Sequence, residues 1–141
     1  MASNGGETSL SKLLSTLTTT LHPSTFVFIT LPETSTLPPL PDVQLFFREP
    51  EGITLITTQE YAMSHNMEYS FPSRMITLNV HSSLEAVGFM AIIATKLAER
   101  GMGVNPISGF YHDHLFVPTG REKEALNVLS VLAEEERNQG Q

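Results

Sequence analysis

A chain of 141 residues with 40% hydrophobic content is long enough for one compact core, or for two very small units that depend on each other. Its net charge of −7 disfavours nucleic acid and anionic membrane as partners, no apolar run approaches membrane-spanning length, and Met1–Ser9 lacks the basic and apolar regions of a secretory signal. With no cysteine there is neither a disulfide framework nor a thiol nucleophile, and a cytoplasmic address is the expectation.

Residues 1–8 are small and polar and read as a disordered tail. Leu10, Leu13, Leu14, Leu17 and Leu21 then recur at helical spacing behind a Ser9 cap, which predicts a helix ended by Pro23. Phe26–Ile29 reads as a short buried strand, and the proline-rich stretch Pro32–Pro41 as an irregular connection. Gln44–Arg48 and Ile53–Thr57 flank Glu49-Pro50-Glu51-Gly52, whose proline and glycine suit a type I turn, so a hairpin is expected there. The charges of Arg48, Glu49 and Glu51 read as solvated turn residues rather than a ligand pocket. Gln59–His65 is a short helix stopped by Asn66, and Phe71-Pro72-Ser73 leads into the next strand.

Over Met75–His81, Ile76, Leu78 and Val80 alternate with polar neighbours, as in a strand with one buried face. Ser82 followed three residues later by Glu85 forms a capping-box pattern, so the spacing predicts a helix beginning at once. That helix would place Leu84, Val87, Ala91, Ala94 and Ala98 inward, with Met90, Ile93 and Leu97 widening the stripe. Gly88 within it implies either close helix packing or room for a ligand. Gly101 and Gly103 end the helix, Val104–Gly109 and His114–Val117 read as strands, and Arg121–Arg137 as the closing helix before a disordered 138–141 tail. The order strand, helix, strand, strand, helix is a split βαβ unit lacking only its last strand. Both halves are incomplete alone, so each is expected to lend its sheet to the other.

A strand feeding directly into a helix turns free amides and the positive helix end toward the junction, where a small carboxylate or phosphate fits. Other chemistries can be drawn from the same residues. In a split βαβ sheet the third strand lies antiparallel to the first, so His81 approaches His112 and His114, a three-imidazole metal candidate. Yet no carboxylate or cysteine shell accompanies them, and structural histidines beside a turn are commoner. A triad of Ser82 or Ser83, His81 or His112, and Asp113 lacks a nucleophile elbow. Neither metal, cofactor nor catalytic residue is expected.

Three runs resemble a known family: Phe47-Arg48-Glu49-Pro50-Glu51-Gly52-Ile53-Thr54-Leu55, Ile76 through Gly88, and His112-Asp113-His114-Leu115-Phe116-Val117-Pro118. They are similar to small stand-alone proteins built from ACT-like domains, which are similar in turn to the ACT domains of aspartate kinases and to CASTOR-type arginine sensors. The resemblance implies an α+β fold of tandem ACT-like, ferredoxin-like βαββαβ-type units, sharing antiparallel sheet with helices on one face. The N-terminal half is expected over 9–70 and the C-terminal domain over 71–137. It also implies a non-catalytic regulatory protein that binds a free small amino acid at the strand–helix junction, here His81, Ser82, Ser83, Leu84, Glu85, Ala86, Val87 and Gly88, with Asn105, Ile107 and Asp113 beside it. Its carboxylate is then expected near the Ser82–Val87 amides, its side chain near Asn105–Ile107 or the opposing half, and its ammonium near backbone carbonyls, Asp113 or Glu85. A homo-oligomer or a regulated protein partner fits the same class. The alternatives are an adaptor that binds protein and no small molecule, or a histidine-based metal binder.

Overall fold

The computed structural model describes residues 6–140, so the expected tail over 1–8 lies largely outside the described residues, as does residue 141. The first helix, α1 (Leu10–Ser15), is capped by the Ser9 hydroxyl, which accepts from the Lys12 amide, and it buries Leu13 and Leu14. It stops well before Leu21. Thr16 returns its hydroxyl to the Lys12 carbonyl at 2.6 Å, and the β-branched Thr18, Thr19 and Thr20 favour extended backbone. Strand β1 (Thr19–Leu31) therefore begins earlier than the leucine spacing predicts and runs straight through Pro23. The sheet accommodates the missing proline N–H with a register shift between Leu21 and Thr25. Arg74 fixes that irregularity by donating twice to the His22 carbonyl, at 2.8 and 3.1 Å.

The expected hairpin is present as β2 (Leu45–Glu49) and β3 (Gly52–Thr58), preceded by a single 3-10 turn over Leu40–Asp42. Gly52 is required there, because a Cβ would lie 2.8 Å from the Leu31 carbonyl oxygen. Helix α2 (Gln59–Ser64) is capped by Thr58 and ends before Asn66, which takes a positive φ of 53°. Then come β4 (Ser70–Leu78), α3 (Phe89–Ala98), β5 (Asn105–Ser108), β6 (Asp113–Pro118) and α4 (Glu122–Gln139), the last running past Arg137. The Arg137 guanidinium reaches the Ser15 carbonyl at 3.1 Å and ties the end of α4 to the end of α1.

The six strands form one antiparallel sheet in the order β2-β3-β1-β4-β6-β5. Two overlapping four-stranded sets share β1 and β4. The set β4-β1-β3-β2 is the ferredoxin-like sheet of the first half, and β1-β4-β6-β5 is that of the second. Each half thus takes its fourth strand from the other, as the incomplete element order predicted.

Register sets the faces. Ile76 lies opposite Leu115 and Leu21, and Ile29 opposite Leu55, all toward the helices. Ile76, Leu78, Leu115 and Val117 pack with α1, α3 and α4, while Val27, Ile29, Ile53 and Leu55 pack with Ala62 of α2. The other face carries a smaller cluster of Phe26, Ile56, Met75 and Phe116, in which Phe28 and Phe26 meet the Phe116 ring edge-on at 5.6 and 5.8 Å.

Because β1 and β4 are shared, fragments ending and starting at Phe71 should each fail to melt cooperatively and should regain a cooperative transition only when mixed. Circular dichroism melts of the fragments, singly and together, check this; a separate cooperative melt from either one alone contradicts it.

Candidate functional site

Strand β4 ends at Leu78, three residues short of His81. Asn79 leaves the ladder with its amide on the Thr18 carbonyl and its side-chain NH2 on the Thr20 hydroxyl, both at 2.8 Å. The chain then crosses 79–88 as a loop instead of entering a helix. The capping box does not form. The Ser82 hydroxyl donates to Oδ2 of Asp113 at 3.0 Å, while Ser108 donates to Oδ1 at 2.6 Å. Ser82 and Asp113 are both buried. A buried carboxylate without donors costs far more than an uncapped amide that water can reach, so the serine serves the aspartate.

The loop is organised by a tight turn and by the segment preceding α1. Ser83 accepts from Glu85 N through its hydroxyl and from Ala86 N through its carbonyl, both at 3.0 Å. Glu7 lies across the loop: its amide donates to the His81 carbonyl at 2.7 Å and its carbonyl accepts from Ser83 N at 2.9 Å. The Glu7 carboxylate is held below its ordinary range, chiefly by the Ser9 amide. Helix α3 begins only at Phe89, after Gly88 with φ of 91°. A Cβ at Gly88 would meet only Leu10 Cδ2, at 3.7 Å, so this glycine serves the left-handed turn rather than close packing or ligand room. With the start displaced, Leu84 and Val87 are exposed at 65% and 84%, and Phe89, Ile93 and Leu97 take the inward stripe.

The free donors move accordingly. Of the Ser82–Val87 amides, those of Ser82, Ser83, Glu85 and Ala86 already have acceptors. The first bond of α3 runs from Ile92 N to the Gly88 carbonyl, which leaves Phe89, Met90 and Ala91 with the unpaired amides of a helix start. Phe89 and Met90 of that helix start line a small cleft of about 90 Å³, together with Ser82, Ser83, Leu84, Ala86, Ser108 and Asp113. A wider hollow of about 400 Å³ lies beyond Val80 and His81, against Glu7, Lys12 and Thr16 of the N-terminal segment.

Of the expected site residues, Ser82, Ser83, Leu84, Ala86 and Asp113 come together in the cleft, whereas His81 lines the wider hollow and Glu85 sits on the exposed turn. Asn105 and Ile107 do not join them. They pair with Phe116 and His114 on the opposite face of the sheet, where Ile107 packs against the phenylalanine cluster. The contribution of β5 is instead Ser108, one position out of phase. Pairing of Ser108 with Asp113 could have been found from the β5–β6 hairpin spacing, since it closes that hairpin.

Strand β6 does lie antiparallel beside β4, but the imidazoles are committed elsewhere. His112 Nδ1 donates to the Val80 carbonyl at 3.0 Å, and His114 Nδ1 and His22 Nε2 share the Thr77 hydroxyl at 2.9 and 2.8 Å. The His81 ring lies tilted against those of Tyr111 and Phe110, at 5.4 and 6.2 Å between ring centres, with its Nε2 buried and unpartnered. Among the described residues no three metal-binding side chains converge. The drawn triad is likewise unassembled, because Ser82 bonds Asp113 directly with no imidazole between them.

The sequence matches ACT-domain models twice, over residues 5–74 and over 70–131. It is also 40% identical to a crystallographically solved protein from Vibrio cholerae, described as of unknown function and possibly a transport protein, across 88% of this chain and 95% of that one at a TM-score of 0.75. The chain belongs to the ACT-domain family. Its fold is shared, at 13% identity and a TM-score of 0.69, with a protein from Agobacterium tumefaciens, over 83% of this chain and 89% of that one. The regulatory subunit of aspartate kinase from Thermus flavus matches at 9% identity and a TM-score of 0.55, over 82% and 95%. No curated protein matches the sequence. This tandem ACT protein is therefore a regulatory-type module, and no helix among its described residues is long and apolar enough to cross a membrane.

Burial, and then the charges of His112 and His22, push the His114 pKa below its ordinary 6.5, against a smaller upward pull from Asp113. A depressed histidine favours the neutral folded form: its contribution is whole above pH 6.5 and is lost as pH falls through the folded value. Urea unfolding should therefore show stability falling as pH drops below 6.5, and His114→Asn should flatten that fall. An unchanged slope in the variant contradicts this assignment.

Proposed function

We propose that this ACT protein is a non-catalytic regulator that binds a free small amino acid in the cleft between Asp113 and the start of α3. The supporting observation is the pairing of opposite chemistries across that cleft. Asp113 supplies carboxylate oxygens, each with capacity beyond its one serine donor, and the helix start at Phe89 and Met90, which line the same cleft, supplies free amides and the positive helix end. An α-amino acid carries the complement of both, an ammonium and a carboxylate on one carbon. The carboxylate thus goes to the start of α3 rather than to the Ser82–Val87 amides.

Size narrows the class. A cleft of about 90 Å³ is well below the roughly 300 Å³ at which ligand pockets begin, so it suits a head group with little or no side chain. Glycine, alanine and serine fit that description, and a larger amino acid requires the 83–88 loop to open. ACT domains commonly pair this binding with control of a protein in amino-acid metabolism, and that role, in the cytoplasm and without metal or cofactor, is the one proposed here. The adaptor reading differs in a single respect: the cleft would hold only water.

A thermal-shift screen of the free amino acids should give a selective rise with one or a few small ones. In calorimetric titration, Asp113→Asn should weaken the selected amino acid about tenfold or more by removing the ammonium's counter-charge. Ala86→Leu, which adds bulk to the lining of the cleft, should abolish binding while leaving a cooperative melt. No selective shift, or wild-type affinity in both variants, would overturn the proposal in favour of an adaptor.

A further inference from the structure

Strand β1 outruns the strand beside it. Its ladder with β4 ends at Phe28↔Ser70 while β1 continues to Leu31, so among the described residues Thr30 has a strand partner only on the β3 side, at Thr54. Residues 67–69 join α2 to β4 outside that ladder and leave a hollow of about 520 Å³, lined by Phe28, Thr30, Met67, Glu68, Tyr69 and Ser70. This volume falls within the roughly 300–1,000 Å³ of small-molecule sites, and none of these residues lines the Asp113 cleft. The connecting segment is fixed at both ends. Asn66 precedes it with φ of 53° and Phe71 follows with φ of 54°, the two positive-φ residues other than glycine among those described. Asparagine adopts this backbone readily and phenylalanine rarely does. The Phe71 ring packs against Phe28 at 5.7 Å between ring centres, where the β1–β4 register shifts between Phe26 and Phe28. From α2, Gln59 Nε2 donates to the Tyr69 hydroxyl at 3.1 Å and steadies that side chain.

We propose that this hollow is a second ligand site, separate from the Asp113 cleft, that takes a small organic ammonium ion, with Glu68 as its counter-charge and Phe28, Tyr69 and Met67 as its apolar wall. The lining combines two chemistries. Two aromatic rings and a thioether give polarisable apolar surface, while the Glu68 carboxylate, which makes no ion pair among the described residues, gives the charge. That carboxylate and the net charge of −7 disfavour an anion. A hard metal ion needs six or so oxygen ligands, and a single carboxylate does not make such a set. An alkylammonium ion suits both parts at once: its charge meets the carboxylate, and its alkyl groups meet the aromatic rings in a cation–π contact. The Thr30 and Ser70 side chains at the margin give a hydroxyl-bearing ammonium a polar neighbour. This site does not depend on the amino-acid reading of the other cleft.

Titration of the full chain with choline chloride, followed by backbone amide NMR against sodium chloride at equal ionic strength, tests this. Saturable shifts should appear at Phe28, Thr30 and residues 67–70, with a dissociation constant of about 1 mM. The uncharged isostere 3,3-dimethylbutanol should leave them unmoved. Glu68→Gln should weaken choline about fivefold or more by removing the counter-charge, and Tyr69→Leu should do the same by removing the ring. Tyr69→Phe keeps the ring without its hydroxyl and should bind as the wild type does, with circular dichroism showing all three variants folded. No saturable shift with choline, shifts centred on the Asp113 cleft, equal response to the uncharged isostere, or wild-type affinity in Glu68→Gln would each overturn the proposal.

Discussion

The constraint on which this structure depends is that neither half owns a complete sheet. Strands β1 and β4 lie side by side at the centre, each closing the four-stranded sheet of the other half, so their mutual ladder is formed between residues about 50 positions apart. The helix-side core follows from that ladder. Ile76 and Leu78 of β4 are fully buried only because α1, from the first half, and α3 and α4, from the second, cover the same strip of sheet. Burying each such side chain is worth about 1.5–3 kcal/mol, and much of that is unavailable to either half alone.

The same arrangement builds the cleft. Antiparallel pairing of β4 with β6 brings the exit of β4 beside Asp113 at the start of β6, and pairing of β5 with β6 brings Ser108 to its other side. The buried carboxylate then draws in Ser82 and holds the 79–88 loop open as a loop. Had Ser82 capped a helix instead, Asp113 would have lost one of its two hydroxyl donors. A polar cleft at the start of α3 is thus the consequence of one buried charge being satisfied, with Gly88 supplying the turn that lets the helix begin late.

Much of this was legible in the sequence. Alternation identified β4, the Glu49-Pro50-Glu51-Gly52 turn between two apolar runs identified the β2–β3 hairpin, helical spacing identified α4, and the element order predicted the shared sheet. Two local signals misled. The leucines of α1 continue in phase to Leu21, but Thr18–Thr20 extend the backbone and the sheet absorbs Pro23, a tertiary effect that spacing does not carry. Ser82 and Glu85 satisfy the capping pattern, yet the decisive partner of Ser82 is 31 residues away. The strand–helix junction predicted there is a loop over 79–88 instead. Asn105 and Ile107 show the remaining weakness: on a four-residue strand, choosing the wrong parity exchanges the two faces, and the residue facing the cleft is Ser108.

The central claim is that an amino-acid head group lies between Asp113 and the first amides of α3. Backbone amide NMR spectra recorded during titration with the amino acid selected by thermal shift test it most directly. The account predicts that the largest saturable shifts fall on Phe89, Met90 and Ala91, accompanied by Ser82, Ser108 and Asp113, and that they vanish in Asp113→Asn. Saturable shifts confined to the hollow around Lys12, Thr16 and Asn79, with α3 unmoved, would contradict it.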